Sequence, residues 1–237
     1  MGSCCASVSS WASQQGFDYL LDGDALFDRI PVTLRARFAA QVVVLSDLAR
    51  LYWMREVLES GYDRAIWCDA DVLIFEQFTP ADSGDRFGRE CWIQQDGGKL
   101  RRYRKIHNAW MQFSAGSPTL AFYLDRARLL LERTESPVVP QFIGPKLLTA
   151  WHNIAAFSVE ERVGMLSPLV MAELLDGGDR ALQMLRAGHA EPLCALNLSA
   201  SYENREVDGV MHDGHDYQQL VEQLSSGAML GRLRGAY

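Results

Sequence analysis

The sequence predicts an α/β domain with a mixed central sheet. Three observations carry that prediction. Short apolar runs alternate with longer segments of helical period along the chain. One such run, Ala65-Ile66-Trp67-Cys68, leads directly into two carboxylates, Asp69 and Asp71, and then into a second run, Val72 to Phe75. Open α/β sheets place ligand sites at such C-terminal strand ends. Finally, the length of 237 residues suits a single domain over 1–237, with 203–237 reading as a less regular C-terminal segment.

Taken in order, residues 4–16 read as a helix with Val8, Trp11, Ala12 and Gln15 on one face and Gly16 as its stop. Phe17 to Leu21 read as a strand that ends at the turn Asp22-Gly23-Asp24. Residues 38–60 are the strongest helical segment. Leu48, Leu51, Tyr52, Arg55 and Leu58 keep the period, Ser46 is the candidate N-cap, and Gly61 closes the helix. Residues 79–88 read as a loop and 91–95 as a short strand. The basic cluster Lys99-Leu100-Arg101-Arg102-Tyr103-Arg104-Lys105 reads as a solvated loop, with contact to a phosphorylated or acidic acceptor as the functional alternative.

A strand follows at Ala109 to Phe113. A helix then opens at Ser117-Pro118 and runs to Arg133. Gly144-Pro145 starts a shorter helix through His152. Beyond it the pattern predicts a strand at 163–166, helices at 169–175 and 180–185, an apolar run at 193–198, a helix at 217–224 and a loose tail.

Composition narrows the partners. A net charge of −7 argues against wholesale nucleic-acid binding. No apolar run reaches the roughly 18 residues of a spanning helix. The N-terminus has no basic region ahead of an apolar core, so no signal peptide is read there. Met-Gly-Ser-Cys-Cys is similar to an acylation signal but carries Ala6 where that signal needs Ser or Thr. Five cysteines without framework spacing suggest a reducing, cytoplasmic setting. A peripheral membrane contact is left open.

Aspartates are depleted in strands, so Asp69 and Asp71 between apolar runs need an explanation. Two carboxylates at i and i+2 can serve one divalent ion. Mg²⁺ or Mn²⁺ accepts such oxygens and keeps positions open for phosphate. A strand-end turn whose carboxylates meet solvent is the plain alternative.

With these blocks in place, the chain resembles glycosyltransferases that carry a DxD sugar-binding region: bacterial capsular-polysaccharide transferases, fungal mannosyltransferases and the glycosylating clostridial toxins. The resemblance rests on Ser46-Asp47-Leu48-Ala49-Arg50, Gly61 and Trp67-Cys68-Asp69-Ala70-Asp71. Asn108-Ala109-Trp110-Met111 with Gly116-Ser117-Pro118, and Gly144-Pro145-Lys146-Leu147-Leu148-Thr149, complete it, over residues 5–200. It implies a GT-A fold, Rossmann-like, and retaining transfer from a nucleotide-diphosphate sugar donor to an acceptor the sequence does not identify. It further implies that Asp47, Arg50, Trp67, Asp69 and Asn108 meet the donor, and that Asp69 and Asp71 hold Mn²⁺ or Mg²⁺. A further metal ligand, His in many members, corresponds to Asn197 here. His212 and His215 are substitutes, though a polar loop is the reading preferred for them. The family's first strand, which lines the base pocket, is lacking ahead of Cys4.

Two other readings stay open. A haloacid-dehalogenase-like phosphohydrolase would use Asp69 as nucleophile and Asp71 as acid. A non-catalytic or truncated glycosyltransferase-like chain would bind without turnover. No catalytic base is assigned.

Overall fold

The structure, a computed structural model, describes residues 2–235. Its elements in chain order are α1 (Gly2–Gln15), α2 (Val32–Arg37), α3 (Val42–Glu59), β1 (Arg64–Cys68), β2 (Val72–Ile74), β3 (Arg86–Asp96), β4 (Lys99–Ser114), α4 (Pro118–Arg133), α5 (Leu147–Ala155), β5 (Ser158–Glu160), β6 (Val163–Met165), α6 (Pro168–Asp176), α7 (Arg180–Arg186), β7 (Ala195–Asn197), α8 (Gly214–Ser225) and α9 (Leu230–Arg234). The mixed α/β character is as predicted. The strands, however, form two mixed sheets. One has the order β1-β4-β3-β5, antiparallel except for β3/β5. The other has the order β2-β7-β6, with β2/β7 antiparallel and β6/β7 parallel.

Asp69-Ala70-Asp71 is the turn that carries the chain from the first sheet to the second. It closes with the Val72 amide donating to Asp69 O at 2.9 Å. The Asp69 amide donates to Ala109 O on β4, and the Leu198 amide, just past β7, donates to Asp71 O. Both sheets therefore grip this turn. Apolar side chains of α3, α4, β1 and β4 pack one core beneath it, and those of α6, α7, α8 and β7 pack another. A third cluster seats α1 against β2 through Val8, Trp11 and Val72.

Several local expectations are corrected. Phe17 to Leu21 is irregular and pairs with no strand among the described residues. Its rings seek other partners: Phe17 lies 5.6 Å from Trp11 and under the Arg64 guanidinium, and Leu21 stays 70% exposed. Ser46 does not cap a helix. Buried Val44 and Leu45 carry α3 a turn further upstream, to Gln41 at its N-cap. The Ser46 hydroxyl instead accepts from Arg50 Nη2 at 3.2 Å.

The basic cluster is not a loop but the first half of β4. It folds back on β3 through the two-residue turn Gly97-Gly98, at φ of 59° and 76°. Only glycine takes two such angles in succession at no steric cost, which makes this pair the hairpin signal. Residues 86–88 of the expected loop belong to β3. Gly144-Pro145 lies in a single wide turn, Phe142–Lys146, and α5 begins after it. The tail is not loose: α9 docks by Leu233 and by Arg232, whose guanidinium donates to Leu174 O at 2.6 Å. Residues 236 and 237 lie outside the description.

Among the described residues, no helix is long and apolar enough to cross a membrane.

Candidate functional site

α3 presents Asp47 and Arg50 on one face, three residues apart. Both are buried. Arg50 is the hub. Its Nη2 lies 3.1 Å from Asp47 Oδ1, its Nη1 lies 2.8 Å from Asp69 Oδ1, and Nη1 also donates to Asn108 O at 2.9 Å. The guanidinium carbon sits 5.2 Å from the Trp67 ring centroid, so the cation is held against an aromatic face. Trp67 Nε1 donates to Asp69 Oδ1 at 2.5 Å, and Asn108 Nδ2 donates to Asp47 Oδ1 at 2.8 Å. Asp47, Arg50, Trp67, Asp69 and Asn108, spread over some 60 positions of sequence, thus form one hydrogen-bonded network.

The network is closed from behind by Gly144. This residue leaves helical geometry at φ −91°, ψ −119°, and its Cα faces Asp47 directly. A Cβ there would run into Asp47 Oδ2 and come within 3.0 Å of Asn108 Nδ2. The Tyr123 hydroxyl donates to Ile143 O at 2.8 Å and seats this turn. Burial pushes the Asp47 carboxyl up from 3.8 to about 6, against the pull of Arg50 and Asn108. Arg50 is raised: burial opposes its charge, but Asp69 and Asp47 outweigh that.

Asp71 lies across the turn. Asn197 Nδ2 donates to its Oδ1 at 2.5 Å, and the Ala200 amide donates to its Oδ2 at 3.0 Å. Burial first, then the Asp69 charge, pushes the Asp71 carboxyl up. Asn197 is thus beside Asp71, as expected, but in a different role. Its Oδ1 accepts from the Ser199 amide at 2.9 Å, so it turns its NH₂ to the carboxylate and holds it rather than offering an oxygen to an ion.

These residues border a cleft of about 1030 Å³ enclosed by α1, the 17–22 segment, α3, the turn and α8. Arg50, Trp67, Asp69 and Asp71 line it; Asp47 and Asn108 sit behind Arg50 and do not. Sequence reasoning missed Trp53, whose ring meets Trp67 edge-on at 5.7 Å, and Tyr217 of α8. Trp53 lies at i+3 from Arg50, which was the available signal; nothing local marks Tyr217. The lining carries six carboxylates (Asp18, Asp22, Asp69, Asp71, Glu203, Glu222) against two guanidiniums, Arg50 and Arg64. An anionic ligand entering such a cleft meets net repulsion unless a cation accompanies it.

The donor set around the turn suits a small divalent ion. Asp69 Oδ2 has no hydrogen-bond partner among the described residues, and each Asp71 oxygen accepts one donor and keeps a second lone pair. A cation there would also relieve the like-charge repulsion between the two carboxylates. His212 and His215 do not line the cleft. His212 lies in the loop ahead of α8, as read, but is buried there with its Nε2 on Pro168 O, whereas His215 belongs to the first turn of α8. Asp213, His215 and Asp216 are the one group of three His, Cys, Asp or Glu residues close enough to share an ion among the described residues. That grouping follows from the α8 capping box, in which Asp213 accepts from the His215 and Asp216 amides.

No protein-family model, curated protein or solved structure matches this chain.

Proposed function

We propose that the chain is a divalent-cation-dependent glycosyltransferase that takes a sugar from a nucleotide diphosphate, with retention at the anomeric carbon. The reading is supported chiefly by one hydrogen-bonded network of Asp47, Arg50, Trp67, Asp69 and Asn108, of which Arg50, Trp67 and Asp69 line the acidic cleft. Asp69 Oδ2 and the free lone pairs of Asp71 would hold Mn²⁺ or Mg²⁺. When bound, that ion supplies charge neutralisation for the diphosphate.

The chain's own residues do the rest. Arg50 holds Asp69 in place and, with its donors taken by Ser46, Asp47, Asp69 and Asn108, acts as a fixed positive charge at the cleft wall. Asn197 and the Ala200 amide aim Asp71 and favour its charged form, partly offsetting the burial and the Asp69 charge that push its carboxyl up. Trp67 fixes Asp69 and offers an apolar wall that excludes water from one side. In the transfer, the bond from the anomeric carbon to the diphosphate oxygen breaks. The nucleoside diphosphate leaves with the bonding pair. The acceptor hydroxyl oxygen bonds to the anomeric carbon and releases its proton to a departing phosphate oxygen. The free cysteines suit a cytoplasmic setting.

One observation favours a second reading, a cleft that binds without turnover: Asp47 and Asn108 are sealed behind Arg50 and do not line the cleft. Calorimetric titration with UDP and GDP, with and without Mn²⁺, tests both. Metal-dependent binding that disappears in Asp71→Ala supports the site, and sugar transfer from a panel of nucleotide-sugars separates catalysis from binding alone. A folded protein that binds neither nucleotide, or an Asp71→Ala variant that binds as well as the parent, would sink the reading.

A further inference from the structure

The first sheet ends at β1, and it ends inside the cleft: all of Arg64 to Cys68 line the cavity. The Ala115 amide donates to Asp63 O and the Asp69 amide to Ala109 O, one at each end of the β1–β4 ladder. Bonded residues alternate along an antiparallel ladder, so Ala65 and Trp67 turn their amides and carbonyls to β4. Arg64, Ile66 and Cys68 turn theirs the other way. Among the described residues, no backbone group meets them there.

The helices fix the shape of the opening. Ile66 and Cys68 pack with α1 through Val8 and Trp11, while Ala65 and Trp67 pack with α3. The cleft is lined from both layers, by Val8 and Ala12 of α1 and by Met54 and Val57 of α3. It therefore continues the plane of the sheet, with one helix on either face. Its outer wall is the 17–22 segment, tied to the start of β1 by Tyr62, whose hydroxyl donates to Asp18 at 2.9 Å. Asp18 to Asp22 make no backbone-to-backbone hydrogen bond among the described residues. Unpaired backbone thus borders the slot on both sides, a costly arrangement for groups that water reaches only through a cleft.

The charges at its ends are uncompensated. Asp22 is taken by Arg29, and Asp69 by Arg50. Asp18, Asp71, Glu203 and Glu222 also line the cleft, and none of them has a cationic partner among the described residues. Asp18 stands at the Arg64 end, and Glu203 stands with Asp71 at the other, where both charges act on Tyr217. Arg64 is the facing cation, held over the Phe17 ring and donating to Ala81 O. With Asp71 given over to a metal, three carboxylates still face this one guanidinium.

We propose that the slot takes an extended segment of a partner protein as an added strand on β1, a segment apolar where it faces α1 and α3 and basic at its ends. Pairing with the backbone of Arg64, Ile66 and Cys68 gives affinity, while the apolar walls and the terminal carboxylates select the sequence. A segment matching the length of β1 spans about 17 Å. A second copy of this chain does not fit, because its own β1 carries α1 and α3, and the paired helices would collide in the slot. The backbone groups used are not those of the Asp69-Ala70-Asp71 turn, so the added strand does not depend on the transferase reading.

The test is fluorescence anisotropy of the labelled peptide Lys-Lys-Val-Ile-Val-Thr-Val-Lys-Lys with the folded full chain, followed by amide hydrogen exchange of the complex by NMR. Binding should raise the protection of the Arg64, Ile66 and Cys68 amides roughly tenfold or more, while those of Ala65 and Trp67, already bonded to β4, change little. Two further peptides carry N-methyl groups on alternate residues of the central run, one peptide for each parity. At least one of them should lose binding, since it lacks the amides that β1 accepts. Glutamate in place of the four lysines should abolish binding. Glu203→Gln/Glu222→Gln, on exposed positions, should weaken it several-fold. Ile66→Pro removes an amide that β4 does not use, and it should weaken binding in a protein whose urea midpoint shows it folded. A parent that ignores the lysine peptide, binding without protection of the three outward amides, undiminished binding of both N-methylated peptides, or preference for the glutamate peptide would overturn the proposal. So would a dimer of the free chain in sedimentation that Ile66→Pro dissolves, since a second copy would then be the occupant.

Discussion

Replacing Arg50 with methionine probes the network at its hub while keeping the volume of the side chain. The wild-type cation neutralises Asp47 at 3.1 Å and Asp69 at 2.8 Å in a buried setting. Asp47 has a folded pKa of about 6 against an ordinary 3.8, so its bound proton stabilises the fold at low pH. That contribution is complete below 3.8 and is lost as pH rises through the folded pKa. In the parent the loss stops near pH 6, because the carboxylate then ionises beside Arg50. In Arg50→Met no cation receives the charge, and the loss continues upward. At about 1.4 kcal/mol for each pH unit, the interval from 6 to 8 adds about 3 kcal/mol to the variant's deficit.

The remaining losses, the Asn108 carbonyl and Asp69 contacts, are worth about 1–3 kcal/mol at any pH. Urea unfolding followed by tryptophan fluorescence should therefore show a deficit of about 1–3 kcal/mol at pH 5 that grows by about 3 kcal/mol at pH 8. Other titrating groups, being common to both proteins, cancel in the difference. A deficit that does not change between pH 5 and pH 8 would refute the assignment of Arg50 as the counter-ion of Asp47.

Gly144→Ala should cost about 1–3 kcal/mol in thermal or urea unfolding, because the new Cβ collides with Asp47 and crowds Asn108; the same variant should lose nucleotide binding if the network serves the donor. Asn197→Leu leaves Asp71 without its side-chain donor, and Mn²⁺-dependent UDP affinity should fall about 10–100-fold, as it does on loss of partners that orient metal ligands. His107 is fully buried, with burial pushing its pKa down to about 3. Val163 O accepts from its Nε2, and the Ala109 amide donates to Nδ1, which requires the neutral ring. Its folded pKa lies below the unfolded value, so its contribution is present above about 6.5 and lost as pH falls toward 3. His107→Gln should flatten the acid limb of the stability profile in that interval, measured by urea midpoints from pH 7 to pH 4.

Much of the candidate site was legible because its residues sit in local patterns with few competing explanations. Asp69 and Asp71 interrupt apolar runs, Asp47 and Arg50 share one helical face, and Gly144-Pro145 marks the approach to a helix, which begins just after it; all of these lie about the Arg50 network and the turn between the sheets. The helices α1, α4, α6 and α7 were equally readable from their apolar period and from Ser117-Pro118, where the Ser117 hydroxyl accepts from the Leu120 amide at 2.9 Å as an N-cap should. The β3–β4 hairpin was readable too, from Gly97-Gly98, but the charge density of residues 99–105 masked it. Charged side chains are tolerated on a strand whose outer face meets water, so the polarity of that segment said nothing about its backbone.

By itself, the sequence determined the alternation of helices and strands, the acidic turn and the pairing of Asp47 with Arg50, since each depends on contacts within a few residues. Tertiary structure alone decided the rest. It split the strands into two sheets that meet at Asp69-Ala70-Asp71, and it turned the Asn197 amide so that NH₂ rather than oxygen faces Asp71. It left Phe17 to Leu21 unpaired along the cleft wall, and it set Tyr202 beside Trp92 across more than a hundred residues. Such outcomes depend on which backbone edges and rings find partners once the chain closes on itself, and no local period records that choice.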